Sequence, residues 1–252
     1  MSRIISIANQ KGGVGKTTTA INLSACLAQA GKRVLVIDFD PQANTTSGLG
    51  LNKHGLETSV YDLLLGEKRF DQIVAKTAID GLEILPTTVE LSGAEIELIN
   101  IPEREYILKR VLMDVKYTYD FILIDCPPSL NILTVNALAA SDTVLVPIQC
   151  EYFALEGLSQ LLRTIELVRK RLNKRLNLEG VVFTMYDPRT NLSNQVVEEV
   201  KAHLQDDVYD SIIPRNVRLS EAPSHGVPIT LYDPKSKGSE AYRALAAEVI
   251  AR

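Results

Sequence analysis

Residues 11–18 of this chain, Lys11-Gly12-Gly13-Val14-Gly15-Lys16-Thr17-Thr18, permit few folds. They follow a short β-branched run containing Ile4, Ile5 and Ile7, and they lead into Ala20, Leu23, Ser24 and Leu27 at helical spacing. A glycine-rich loop between strand and helix turns successive backbone N–H groups toward an anion at the positive end of the helix. Such a nest suits a triphosphate. By spacing, Lys16 lies along the β- and γ-phosphate oxygens and Thr17 offers its hydroxyl to Mg²⁺. The general P-loop pattern places a Gly first and, after four intervening residues, Gly-Lys-Thr/Ser. Here Gln10 holds that first position and Lys11 follows it, so the motif is a deviant Walker A.

Beyond the first helix, Gly31 is placed as a C-cap, and 33–37 (RVLVI) reads as a buried strand delivering Asp38-Phe39-Asp40-Pro41-Gln42 at its carboxyl end. Residues 44–50 are polar and Gly-rich and read as part of a mobile region, followed by a short amphipathic helix over 60–65. A strand is expected at 82–85, ending at Pro86. A helix is expected at 103–115, with Ile107, Leu108, Val111, Leu112 and Val115 on one face. Residues 121–125 (FILID) form a buried strand with a carboxylate at its end, before Cys126-Pro127-Pro128-Ser129. This is the Walker B position, where Asp125 would take Mg²⁺ directly or through water.

The remainder alternates strands at 143–148, 180–185 and 208–213 with helices at 155–172, 194–204 and 239–251. The basic cluster Arg169, Lys170, Arg171, Lys174 and Arg175 reads as dipole complement and solvated face. Alternating strands and helices imply an α/β fold: a mostly parallel, doubly wound sheet covered by helices on both faces, with ligands at the carboxyl edge. No linker or repeat interrupts the sequence, so residues 1–252 are expected to form one domain.

Composition narrows the function. At 46% hydrophobic the chain can fill a sizeable core, yet no apolar run reaches the roughly 18–20 residues of a membrane span. No basic segment followed by an apolar one opens the sequence, so a cytoplasmic protein is expected. Cys26, Cys126 and Cys150 lie in or beside apolar segments without metal-ligand spacing and read as buried thiols. A net charge of −4 argues against a generally basic nucleic-acid binder, so any DNA contact must be local.

Together with the deviant loop, the Asp40-Pro41-Gln42 loop, the 124–129 stretch (IDCPPS) and the 213–224 stretch (IPRNVRLSEAPS) resemble the ParA/Soj chromosome-partitioning ATPases over essentially the whole chain. The resemblance implies an ATP- and Mg²⁺-driven switch. An ATP-bound homodimer binds double-stranded DNA of the nucleoid without sequence preference, and hydrolysis stimulated by a ParB/Spo0J-like protein releases it. A role in controlling replication initiation is also compatible. By the same likeness Lys11 acts in trans on the partner's phosphates, as an arginine finger does. Asp40 orients the attacking water, with Asp38 competing for that role and a turn cap as the bland alternative for either. Met185 and Pro214 match the region that packs the adenine, or are plain core. Arg189 and Arg218 match arginines that hold DNA phosphates, and Lys201 extends the patch by charge alone.

Two rivals share the motif. A MinD-like membrane-associated regulator would need a basic amphipathic tail, whereas the last helix shows an ordinary core stripe of Tyr242, Leu245, Ala246, Val249 and Ile250. An iron–sulfur reductase of the nitrogenase iron-protein type would need cysteines in an interface loop, where neither Cys126 nor Cys150 obviously sits. A GTPase would need an Asn-Lys-x-Asp stretch, which the sequence does not contain.

Overall fold

The structure is a computed structural model that describes residues 2–151 and 154–252. In chain order its elements are β1 (Arg3–Ile7), α1 (Lys16–Gln29), β2 (Val34–Asp38), α2 (Asn44–Gly48), α3 (Val60–Leu65), α4 (Phe70–Ile73), β3 (Ala75–Lys76), β4 (Leu82–Leu85), α5 (Leu91–Glu97) and α6 (Ile107–Val115). There follow β5 (Phe121–Asp125), α7 (Ile132–Ala140), β6 (Thr143–Gln149), α8 (Ala154–Arg171), β7 (Asn177–Tyr186), α9 (Asn191–Leu204), β8 (Val208–Pro214), α10 (Val217–Glu221), α11 (Ile229–Tyr232) and α12 (Lys237–Ala251).

The strands form one sheet in the order β3-β4-β2-β5-β1-β6-β7-β8, in which every pairing is parallel except that of β3 with β4. The central strands are apolar throughout because both faces are covered. Val34 to Asp38 and Phe121 to Asp125 are buried at every position. One face packs against Leu108, Leu112, Leu133, Leu138, Leu161 and Val196 of α6 to α9. The other packs against Leu23, Leu27, Tyr242, Leu245 and Val249 of α1 and α12. Each such side chain contributes about 1.5–3 kcal/mol when fully buried.

Parallel order gathers the strand ends that matter. In register, Asp125 of β5 stands opposite Ile7 of β1 on one side and Asp38 of β2 on the other. The loop after β1, the loop after β2 and the turn after β5 therefore meet at one edge of the sheet.

The structure departs from the sequence expectations in identifiable places. Residues 44–50 are not simply an irregular loop: Asn44–Gly48 is the helix α2, entered through Ala43 with φ 54°. The helix expected from 103 starts at Ile107, because Glu103 adopts φ 54° and the stretch Arg104–Tyr106 makes a 3-10 turn first. Of that helix's expected apolar face, Ile107, Leu108 and Leu112 are buried while Val111 and Val115 are half-buried. The strand expected at 180–185 runs longer, over Asn177–Tyr186.

A candidate nucleotide site at the carboxyl edge

Gly13 and Gly15 adopt φ 76° and 89°, the left-handed region that a residue with a Cβ enters at a cost of about 1 kcal/mol. Those two turns swing the chain from β1 into α1. Gly15 occupies the N-cap without any side-chain cap, so the first-turn N–H groups of α1 remain open to a ligand. They face a cavity of about 240 Å³ lined by Gly12, Gly13, Lys16, Thr17, Asp40 and Asn44, among others. Thr184 of β7 fastens the loop from behind, its hydroxyl donating 2.8 Å to the carbonyl of Val14.

Lys16 is 7% exposed, and its ammonium donates 3.0 Å to the carbonyl of Lys11. Burial lowers its pKa, against the opposing pull of Asp125, Cys126 and Asp40. A buried ammonium held chiefly by a main-chain oxygen is poised to exchange that contact for a phosphate. Lys11 itself points elsewhere: its Nζ lies 2.6 Å from Glu151.

Asp125 is fully buried, and its Oδ2 accepts from the Thr45 hydroxyl at 2.7 Å. Its Oδ1 has no hydrogen-bond partner. Burial pushes this carboxyl above the usual range, opposed by the hydroxyls of Thr45 and Thr17 and by Lys16, while Asp40 adds to the rise. An orphaned buried carboxylate oxygen with a threonine hydroxyl nearby is an all-oxygen donor set, which suits a hard cation such as Mg²⁺ that keeps waters and phosphate oxygens as its remaining ligands. Among the described residues no cluster of three or more His, Cys, Asp or Glu would cage a metal unaided.

The two carboxylates after β2 have separate surroundings. Asp38 is fully buried, and its Oδ2 accepts from both the amide and the hydroxyl of Thr46, at 2.7 and 2.6 Å. Asp40 lines the cavity beside Lys16 and Thr17 and uses Oδ1 to accept from the amide of Gln42 at 3.0 Å, leaving Oδ2 toward other partners.

A second cavity, of about 290 Å³, adjoins the first and is lined by Gly15, Thr18, Met185, Pro214, Val217 and Tyr242 with six further residues. Met185 lines both spaces, with φ 50° in the left-handed region. Arg189 follows β7 and Arg218 sits in α10 after β8, so both lie toward the carboxyl edge of neighbouring strands. Each is held by carboxylates: Arg189 by Asp187 at 2.7 Å, Arg218 by Glu221 at 2.8 Å and Asp233 at 3.7 Å. Lys201 does not join them. It lies in the last turn of α9, about 15 Å further along that helix and toward the opposite edge.

Sequence reasoning missed Thr45, Thr46, Thr184 and Glu151, which touch the site from α2, β7 and the turn after β6. Only the cluster of hydroxyls at 45–47 carried a hint.

Fold and site together define a P-loop nucleotide-binding protein with a deviant Walker A loop. A family described as AAA domain matches residues 2–178, and over 251 residues the chain is 60% identical to the sporulation initiation inhibitor protein Soj of Bacillus subtilis, covering 100% of this chain and 99% of that one. The chain belongs to the Soj/ParA family of chromosome-partitioning ATPases. It is 56% identical over 252 residues to the chromosome partitioning protein ParA of Caulobacter vibrioides, covering 99% of this chain and 94% of the relative. A solved structure described as cobyrinic acid a,c-diamide synthase of Mycobacterium smegmatis, with bound ATP analog and magnesium, matches with a TM-score of 0.88 at 39% identity, covering 99% of this chain and 95% of that one.

Proposed function

We propose that this chain hydrolyses Mg²⁺-ATP to drive chromosome partitioning, and that the nucleotide switches it into a homodimer that holds DNA. The observation that carries the reading is the meeting of the open N-terminus of α1, buried Lys16 and Thr17 at one cavity, with the fully buried Asp125, one oxygen orphaned, directly behind Thr17 and Lys16. The 60% likeness to Soj across the chain outweighs the 39% likeness to the protein described as a diamide synthase.

In this reading the N–H groups of residues 12–18 and the Lys16 ammonium bind the phosphates. Met185 and Pro214 pack the adenine in the adjoining cavity. Thr17 and Asp125 would hold Mg²⁺, which would supply neutralisation of phosphate charge. Asp40 accepts a hydrogen bond from the attacking water and orients it in line with the γ-phosphate. Lys11 of a second copy reaches the same phosphate and neutralises charge that develops in the transition state, so that catalysis requires the dimer. Arg189 and Arg218 hold backbone phosphates of double-stranded DNA in the nucleoid, which gives affinity without sequence preference, and a dimer doubles the set. A ParB/Spo0J-like protein stimulates hydrolysis and resets the switch.

The MinD-like alternative requires an apolar helix face free for lipid. Tyr242, Leu245, Ala246 and Val249 of α12 are buried against α1 and β8, so that stripe is already used inside the fold. The iron–sulfur alternative requires accessible thiols, and Cys26, Cys126 and Cys150 are all buried. Asp40→Ala is the test. Phosphate release is expected to fall at least about a hundredfold while ATP-dependent retention on DNA persists; ordinary turnover in that variant rejects the assignment.

A further inference from the structure

The lysine that follows the broken position of the loop is fastened at both ends to one strand. Its amide donates 3.0 Å to Oδ1 of Asn9, and the Asn9 side chain donates 2.8 Å to the carbonyl of Pro147 in β6. Its ammonium pairs at 2.6 Å with Oε2 of Glu151, two residues past the end of the same strand. Glu151 is fixed in turn: the Gln149 side chain donates to its Oε1, its amide donates 2.8 Å to the carbonyl of Gln149, and its own carbonyl accepts from the amide of Ala154 at the start of α8. A side-chain pair between residues 140 apart in sequence is thereby held next to Gly12, the first loop residue that lines the cavity.

We propose that Glu151 is a positioning residue that holds Lys11 within its own copy and must release it before Lys11 can engage the γ-phosphate of a second copy. The inference rests on the trans role given to Lys11 above. A carboxylate beside the ammonium competes directly with a phosphate for the same N–H donors, and left in place it would set a negative charge against the γ-oxygens. Lys11 and Glu151 side chains are 37% and 47% exposed, so the pair is worth little by itself and opens readily. A weak restraint of this kind suits a switch, because it biases the resting state without preventing the nucleotide-bound one.

Removing the competing charge while keeping the shape isolates the effect. Glu151→Gln is expected to lower the ATP concentration for half-maximal dimerisation by about two- to fivefold, measured by light scattering with Mg²⁺-ATP, with Glu151→Asp in between. The shift is expected to vanish in a Lys11→Ala background. A weaker dimer in Glu151→Gln, or an equal shift with Lys11 absent, overturns the proposal. The underlying reading has its own control: if Lys11→Ala alone dimerises as the parent does, the trans role fails independently of Glu151. Thermal melting without nucleotide separates either result from misfolding.

Discussion

Single residues set what the site can exchange. Lys16 sits buried against a backbone carbonyl and beside the carboxylates of Asp125 and Asp40, so Lys16→Ala removes the cavity's cation. Nucleotide affinity measured by calorimetry is expected to fall at least about a hundredfold, since a buried charge-assisted contact to phosphate is worth several times an exposed one. At the arginines proposed to hold DNA the numbers are smaller. Arg218→Ala is expected to lower affinity about equally for all DNA sequences and to reduce the salt slope by about 1, which binding isotherms at several salt concentrations would register. The thiols behave oppositely: burial pushes Cys26, Cys126 and Cys150 up to about 12, so almost no thiolate exists near neutral pH. Alkylation of the native protein at pH 8 is expected to be slow, and three thiols should react at once on unfolding.

At the scale of elements, α2 shows where a sequence hides its structure. Five residues of low helix propensity, Asn44 to Gly48, are helical because Thr45 and Thr46 reach the two strand-end carboxylates, a tertiary effect that no local periodicity records. α7 was hidden for the opposite reason. Its sequence ILTVNALAA is apolar on nearly every side, because the helix is buried nearly all round, and so it carries no stripe. By contrast β4 and β5 lay where their apolar runs stop at Pro86 and at the Asp125-Cys126-Pro127 turn, and the glycine-rich turn from β1 into α1 was legible because its geometry is local. Glu151 was not legible as a partner of Lys11, since only folding brings the end of β6 to the first loop.

The docking of α2 has a pH signature. Burial pushes Asp38 above the usual carboxylate range, Asp125 adds to the rise, and the hydroxyl and amide of Thr46 pull it back. A carboxyl raised in the folded state favours the fold below its unfolded pKa of about 4, and that contribution is lost as pH rises through the folded value. Thr46→Val removes a donor to the charged form and raises the folded value further. Its loss of stability is therefore expected to be greater at pH 8 than at pH 5, by about 1–2 kcal/mol. Urea titrations at the two pH values check this, and equal losses would refute the coupling.

Across the whole molecule, the edge opposite the nucleotide cavity holds a buried polar knot. Glu179, at the start of β7, is ion-paired with Arg3 of β1 and accepts from the hydroxyls of Tyr209 in β8 and Thr143 in β6. Arg252 donates 2.8 Å to the Glu179 carbonyl and stacks 3.9 Å over the Tyr209 ring. Gly180 beside it has φ 151°, and a Cβ there would stand 2.8 Å from both Tyr209 and Arg252. Glu179→Ala leaves Arg3 uncompensated and is expected to cost about 3–5 kcal/mol in denaturant unfolding while leaving nucleotide affinity unchanged in the folded fraction.

That separation follows from strand direction. From Glu179 to Thr184, which clasps the phosphate loop, β7 spans five residues and about 16 Å. Residues that knit the strands together and residues that line the nucleotide cavity thus occupy opposite rims of one sheet. Substitutions accumulating at one rim are largely invisible at the other. A lineage of such chains can be tuned for heat or cold without reshaping its nucleotide cavity, and the cavity reshaped without the far rim being rebuilt.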